Sequence, residues 1–294
     1  MRVTQSMLTN NMLKNLSRSY SNLDKYSDQL STGKKVNRPS DDPVVAMKGM
    51  NYRSQLTEVE QFQRNLGEVY NWMDNSDSAL DKATQALQRL RELAVQASNG
   101  TYEENQRESI AKEVDQLKEH LIDIANTKVN NKYIFNGTDT KNAPVSVDLT
   151  TGAVSALGNT SEVLIEVYSG TKLKTNINPQ NVFSNQLFAD ITKFSDALKS
   201  NNDSELQTAL GNVDTHIDNL VNERADLGAR MNRLELVENR LAEQEIIATR
   251  TMSDNEDIDM EKVIMNLTTQ ESIHRAALSA GSRIIQPTLL DFLR

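Results

Sequence analysis

The side chains able to do chemistry are few. His120, His216 and His274 are the only histidines, and none lies in an H-E-x-x-H arrangement that would bring two imidazoles to one helix face. His274 falls on an apolar repeat, where an imidazole ordinarily packs or faces water. There is no cysteine, so disulfides, thiolate catalysis and thiol zinc sites are ruled out. The densest carboxylate run, Asp254-Asn-Glu-Asp-Ile-Asp-Met-Glu261, lacks the glycine and the oxygen-ligand spacing of a calcium loop. It reads as the solvated start of a helix, where negative charge favours the N-terminal dipole. No glycine-rich phosphate loop or nucleophile elbow is present. The Asn-x-Ser/Thr triplets at Asn15, Asn136, Asn159, Asn202 and Asn266 are what a polar chain produces by chance. The expectation is a chain with no catalytic, cofactor-binding or metal residues, and not an enzyme.

Composition agrees with a non-catalytic role. Hydrophobic residues make up 37% of the chain and aromatics 5%, which suits thin cores between paired helices. A net charge of −9 argues against nucleic acid as a partner. The charge is uneven: residues 1–60 hold nine Lys/Arg against six Asp/Glu, and residues 240–294 hold six against nine. Ends of opposite sign attract, although salt screens most of that. No run of about 18 apolar residues is long enough to span a membrane, so no membrane partner is expected. Met1-Arg-Val-Thr-Gln-Ser-Met does not look like a cleavable secretory signal, and export would take another route. A cysteine-free chain suits passage in an unfolded state.

The elements follow from proline and periodicity. Prolines stand at 39, 43, 144, 179 and 287, leaving 44–143 and 180–286 free for long helices. Leu13, Leu16, Tyr20, Leu23, Ser27 and Leu30 are spaced 3, 4, 3, 4, 3. Leu66, Met73, Leu80, Leu87 and Ala94 recur every seven, with Val69, Ser76, Ala83, Leu90 and Ala97 three further on. Ile110, Val114, Leu117, Leu121 and Ile124 continue the pattern, as do Leu220, Leu227, Leu234 and Leu241, whose second seam position is polar at Arg224 and Glu238. Met260, Val263, Leu267, Gln270, His274, Ala277, Gly281 and Ile284 carry it towards the C-terminus. Such stripes must be buried against other helices. Asp42 before Pro43 reads as a helix cap, and Asn99-Gly100 as a turn between antiparallel helices. Residues 134–180 differ: Gly137, Gly152, Gly158 and Gly170 separate short runs such as Val163-Leu-Ile-Glu-Val-Tyr, which favour strands. The fold expected is mainly α, a long coiled-coil-like helical bundle built from N- and C-terminal segments with a small β-rich inserted domain. The segments read as 1–43, an N-terminal assembly segment, 44–133, half of a helical rod, 134–185, the β-rich insertion, 186–257, the other half, and 258–294, a C-terminal assembly segment.

Leu30-Ser-Thr-Gly-Lys-Lys-Val-Asn-Arg-Pro-Ser-Asp-Asp-Pro43 resembles the N-terminal signature of the bacterial flagellin superfamily, with Gly33 and Pro39 in a loop between helices. Leu227-Gly-Ala-Arg-Met-Asn-Arg-Leu234 resembles its C-terminal counterpart. Asn37-Arg-Pro-Ser-Asp-Asp, Tyr133-Ile-Phe-Asn-Gly-Thr and Pro287-Thr-Leu-Leu-Asp-Phe-Leu resemble the hook-associated branch more than filament flagellins. The resemblance implies a secreted, extracellular structural subunit at the junction between hook and filament. Its partners would be further copies in a ring, a hook-side junction protein, filament flagellin and a cytoplasmic export chaperone. A filament subunit and a secreted coiled-coil adhesin are the alternatives. The apolar stripes of 1–35 and 258–294 have little to cover them, so both ends are expected to be partly disordered until neighbouring subunits bury them, unless they fold back on each other. Leu16, Leu23, Leu30, Val263, Leu267 and Ile284 are the expected assembly contacts. Val263, Ile264, Leu267 and Leu278 are the expected chaperone face. Arg89, Leu93 and Glu113 match, by position, a surface that an innate immune receptor reads on flagellin.

Overall fold

The computed structural model describes residues 5–98, 104–148 and 152–285. In chain order it has α1 (Gln5–Thr32), α2 (Pro43–Ser98), α3 (Glu104–Ala125), β1 (Lys128–Val129), β2 (Lys132–Tyr133), β3 (Val145–Val147), β4 (Val154–Ala156), β5 (Leu164–Tyr168) and β6 (Thr171–Lys174). Then follow α4 (Pro179–Val182), α5 (Asn185–Ser200), α6 (Asp203–Glu256) and α7 (Met260–Ile285). The chain is mainly α with a small β-rich region, as its periodicity requires. It divides into two compact units, Met1–Glu58 with Gln244–Arg294, and Val59–Glu243. α2 and α6 contribute to both. The turn expected at Asn99-Gly100 lies outside the described residues.

The core of the Val59–Glu243 unit is the heptad seam. Leu66, Val69, Met73, Ser76, Leu80, Ala83, Leu87, Leu90, Ala94 and Ala97 of α2 are all buried, and so are Leu220, Leu227, Leu234 and Leu241 of α6. Ala83, Ala94 and Ala97 are fully buried in the α2 seam. The polar positions of the α6 seam are satisfied from α2. Arg224 donates from Nε to Asp77 Oδ1 at 2.8 Å and from Nη1 to Asp81 Oδ1 at 2.7 Å. Glu238 accepts the Tyr70 phenol at 2.8 Å, and burial together with that carboxylate pushes the phenol pKa up to about 12. α3 packs along α5, whose Phe188, Ile191, Phe194 and Leu198 are buried. Ser184 caps α5 through the Leu187 amide.

The β-rich region is three antiparallel strand pairs, β1–β2, β3–β4 and β5–β6, each too short to be stable by its ladder alone. Asparagine side chains supply what the ladders lack. Asn126 bonds both the N–H and the C=O of Val145, as a neighbouring strand would. Asn136, buried, donates to Asn142 O and accepts from Asn159 N. Asn176, fully buried, accepts from Val163 N and donates to Ser161 O. Phe135 and Phe183 meet edge to face, 5.1 Å apart, beneath these loops.

Leu87→Ala is expected to cost about 2–5 kcal/mol, because it empties part of a closed seam. Leu236→Ala removes a side chain that is 70% exposed and should stay within about 0.5 kcal/mol. Urea unfolding followed by circular dichroism separates the two.

Candidate functional site

The resemblance-bearing motif is a turn that ends one helix and starts the next. α1 stops at Gly33, whose φ of +69° is a left-handed conformation that suits a residue without Cβ. Asp41 accepts from Arg38 N at 3.1 Å. Asp42 accepts from Val44 N and Val45 N at 3.0 and 3.1 Å, capping α2 with Pro43 at its first position. Against this turn lies the connection from α6 to α7. Lys34 and Asp257 form an antiparallel bridge, Lys35 N donates to Glu256 O at 2.6 Å, and Ile258 N donates to Gly33 O at 3.1 Å.

Charge closes the same contact. Glu256 is only 7% exposed; it accepts from Arg53 Nη2 at 2.6 Å and stands 3.4 Å from Lys34 Nζ. Lys34 Nζ reaches Asp257 at 2.6 Å, and Lys35 Nζ donates to Asp254 O at 2.7 Å. The Arg53 hydrogen bond holds Glu256 below the usual carboxylate range against its burial. Lys34, followed by Ser253, does the same for Asp257, and Asp257 raises Lys34. Gly49 leaves room for the Glu256 carboxylate: a Cβ there would sit 2.5 Å from Oε1. The acidic run 254–261, expected to be a solvated helix start, is thus split. Asp259 does cap α7, accepting from Lys262 N, but Glu256 is a buried ion-pair partner at the end of α6. The opposite charges of the two chain ends were the sequence signal for this latch.

Beyond the latch α1 and α7 run antiparallel. Lys34 is beside Asp257, Ser19 beside Gln270 and His274, and Met12 beside Gly281. The ends therefore fold back on each other in this chain. The α7 seam is the expected one, through Val263, Leu267, Gln270, His274, Ala277 and Gly281, except that Met260 is exposed. The α1 seam is shifted by one position. Leu16, Leu23 and Leu30 face inward, but their companions are Met12, Ser19 and Tyr26; Leu13 and Tyr20, expected in the seam, are 53% and 68% exposed. Both sides offer one serine and one tyrosine, and the side that puts Ser19 opposite Gln270 and His274 is the one that packs.

Of the expected assembly contacts, Leu16, Leu23, Leu30, Val263 and Leu267 belong to this pair, while the Ile284 side chain lies outside the described residues. The chaperone face is divided: Val263 and Leu267 turn towards α1, whereas Ile264 and Leu278 are exposed. The three residues matched to a receptor surface are placed differently from one another. Leu93 is 1% exposed because its place on α2 faces the core, and Arg89 is tied to Glu113 at 2.7 Å and Glu92 at 2.9 Å. His120 is exposed, His216 pairs with buried Asp190 at 3.0 Å, and His274 sits on the α1–α7 seam. Among the described residues no cluster of three or more His, Asp or Glu is placed to hold a metal ion, and no helix is long and apolar enough to cross a membrane.

Two helical regions of the chain match known families: the bacterial flagellin N-terminal helical region over residues 3–140 and its C-terminal helical region over residues 210–293. The chain belongs to the bacterial flagellin family. Over 303 residues it is 27% identical to the flagellar hook-associated protein 3 of Escherichia coli K12, covering 95% of this chain and 96% of that protein. It is also 27% identical to the flagellin of Bacillus subtilis 168 over 315 residues, covering all of both. A hook-associated protein from Vibrio parahaemolyticus superposes with a TM-score of 0.68 at 20% identity, over 74% of this chain and 100% of that one. The FlgL protein of Bacillus cereus superposes with a TM-score of 0.60 at 25% identity, over 69% and 99%. In flagellin-family terms the latch joins the N-terminal region, through Gly33–Lys35 and Arg53, to the C-terminal region, through Glu256–Ile258.

Glu256→Ala should lower the free energy of local opening at the latch by about 1–3 kcal/mol, the Arg53 share being small because that side chain is largely exposed. Gly49→Ala should have the same effect by displacing the carboxylate. Amide hydrogen exchange in α1 and α7 reports both. The depressed carboxylates contribute stability that is present above their unfolded pKa, about 4, and lost as pH falls through their folded values. Lys34, being raised, contributes fully below its unfolded pKa and loses that only in strong alkali. Acid should therefore loosen the latch below about pH 4, and Glu256→Gln should flatten the response of helical circular dichroism there.

Proposed function

We propose that the chain is a structural subunit of the bacterial flagellum, forming the junction between hook and filament by coiled-coil assembly of its ends. The observation that carries this reading is the match along 95% of the chain to a protein named for the hook, supported by the hook-associated form of the motif that here builds the latch turn. The partners are further copies of the chain, a hook-side junction protein and filament flagellin. Leu16, Leu23, Leu30, Val263, Leu267 and Ile284 are the assembly contacts of this reading, shared with the end helices of neighbouring subunits once the ring forms. The α1–α7 pair also exposes Leu13 and Tyr20 on α1 and Ile264 and Leu278 on α7, apolar surface for neighbouring subunits to cover. Before assembly, an export chaperone takes α7 as an amphipathic helix in a groove, with Val263, Ile264, Leu267 and Leu278 as its contacts. Export to an extracellular position completes the reading. A filament-subunit role is the second reading, favoured by the full-length match to Bacillus subtilis flagellin.

Removing the gene separates the two. A junction subunit leaves cells with hooks, no filaments and flagellin shed into the medium; a filament subunit leaves no flagellin to shed. Chains lacking 1–35 or 270–294 should keep the helices of the Val59–Glu243 unit, by circular dichroism, and fail to restore motility. Restoration by either would overturn assembly through the ends.

Ile264→Asp with Leu278→Asp tests the chaperone contact without entering the α1–α7 seam. Affinity measured by calorimetry should fall at least tenfold, because each charge meets an apolar groove. Unchanged affinity would move the chaperone site off this face of α7.

A further inference from the structure

The seam between α1 and α7 carries a polar layer that converges on a single hydroxyl. Ser19 is 6% exposed; Gln270 Nε2 donates to its Oγ at 3.0 Å, and His274 Nδ1 lies 3.3 Å from the same oxygen. Gln270 and His274 are four residues apart on α7, hence on one face. The Tyr20 ring stands beside His274, 6.2 Å between centroids. We propose that Ser19, Gln270 and His274 form a register- and partner-selecting layer, which admits α1 against α7 in one antiparallel register and disfavours slipped and like-with-like pairings of the end helices.

The leucine repeat of the seam cannot make that choice by itself. Leu16, Leu23 and Leu30 are identical and seven apart, so a slip of one heptad, about 10 Å at about 1.5 Å per residue, puts leucine where leucine was. The same slip takes Ser19 away from Gln270 and His274 and brings Met12 or Tyr26 onto them, both longer than serine. A buried polar group left without its partner costs about 1–3 kcal/mol. Pairing of like helices fails on size. Two α7 helices would set long polar side chains against each other with no short hydroxyl between them. Two α1 helices would bury serine without the Gln270 and His274 side chains that meet it here. Met12 and Gly281 repeat the rule in apolar form, since a Cβ on Gly281 would overlap the Met12 methyl. In both layers one helix is large where the other is small, and neither layer matches itself. A single polar position that fixes register at some expense of stability is a known property of coiled coils. Its purpose here, keeping many identical copies from pairing their ends wrongly, rests on the assembly role proposed above.

The test uses the purified full chain, which has no native cysteine to compete with labels. Nitroxide labels on Arg18→Cys and Ser272→Cys, both on exposed helix positions, report the intrachain distance when diluted with unlabelled chain. The native layer should give one narrow distance. Ser19→Leu with Gln270→Leu and His274→Leu makes the seam apolar throughout. That variant should melt no earlier than the parent, yet show a second distance shifted by about 10 Å or sediment in part as a dimer. Ser19→Ala, which only removes the shared hydroxyl, should melt earlier and keep the single distance. A triple-leucine chain that stays monomeric with the parent's single distance, or that melts earlier, would overturn the proposal. These readouts need no flagellum, so their failure is distinct from a failure of the gene-removal experiment.

Discussion

A stripe of apolar residues along each long helix is the constraint from which the rest of this molecule follows. Helices such as α2 and α6 present a buried residue every three or four positions and polar side chains elsewhere, so neither can bury its stripe alone. Each needs a partner of matching period. α2 and α6 come from opposite halves of the chain, which makes the helical core a joint product of both. The α2 seam is filled by aliphatic side chains and by fully buried alanines at 83, 94 and 97. Where a seam position is polar, the neighbouring helix answers it, as Asp77 and Asp81 answer Arg224.

The same constraint reaches the chain ends, where it is met less completely. α1 and α7 bury one seam between them and leave a second set of apolar side chains in water. A pair of this kind holds by modest burial, so its geometry depends on a few specific contacts. The latch at Glu256 fixes one end of the pair with a buried carboxylate, two cations and a short backbone ladder. Buried ion pairs add little net stability compared with apolar contacts, but removing one partner is costly. Such a contact suits a place where position matters more than strength.

The β-rich region solves a different problem. Its strands are two to five residues long, and hairpins of that size leave backbone groups unpaired. Asparagine, with one donor and one acceptor group on a short stem, closes them from Asn126, Asn136 and Asn176. This is why a segment with so little ladder is nonetheless well packed around Phe135 and Phe183.

The sequence by itself determined the helices, the main seams of α2, α6 and α7 and the turn at 33–43. Proline positions, a Gly in left-handed geometry and an Asp cap act locally, and a repeat of seven points one way wherever the helix is placed. What only the tertiary structure decided depends on residues more than 200 positions apart meeting. The α1 seam takes Ser19 and Tyr26 in place of Tyr20 and Ser27 because α7 offers Gln270 and His274 at that level, and one-position rotation of a helix is invisible to a pattern that fits both. Leu93 turned out buried because α2 bears a stripe broader than its two heptad positions. Glu256 looked like one carboxylate among several in a solvated run; it became the latch only when folding set Arg53 and Lys34 against it, since a charge is buried or exposed according to what arrives beside it.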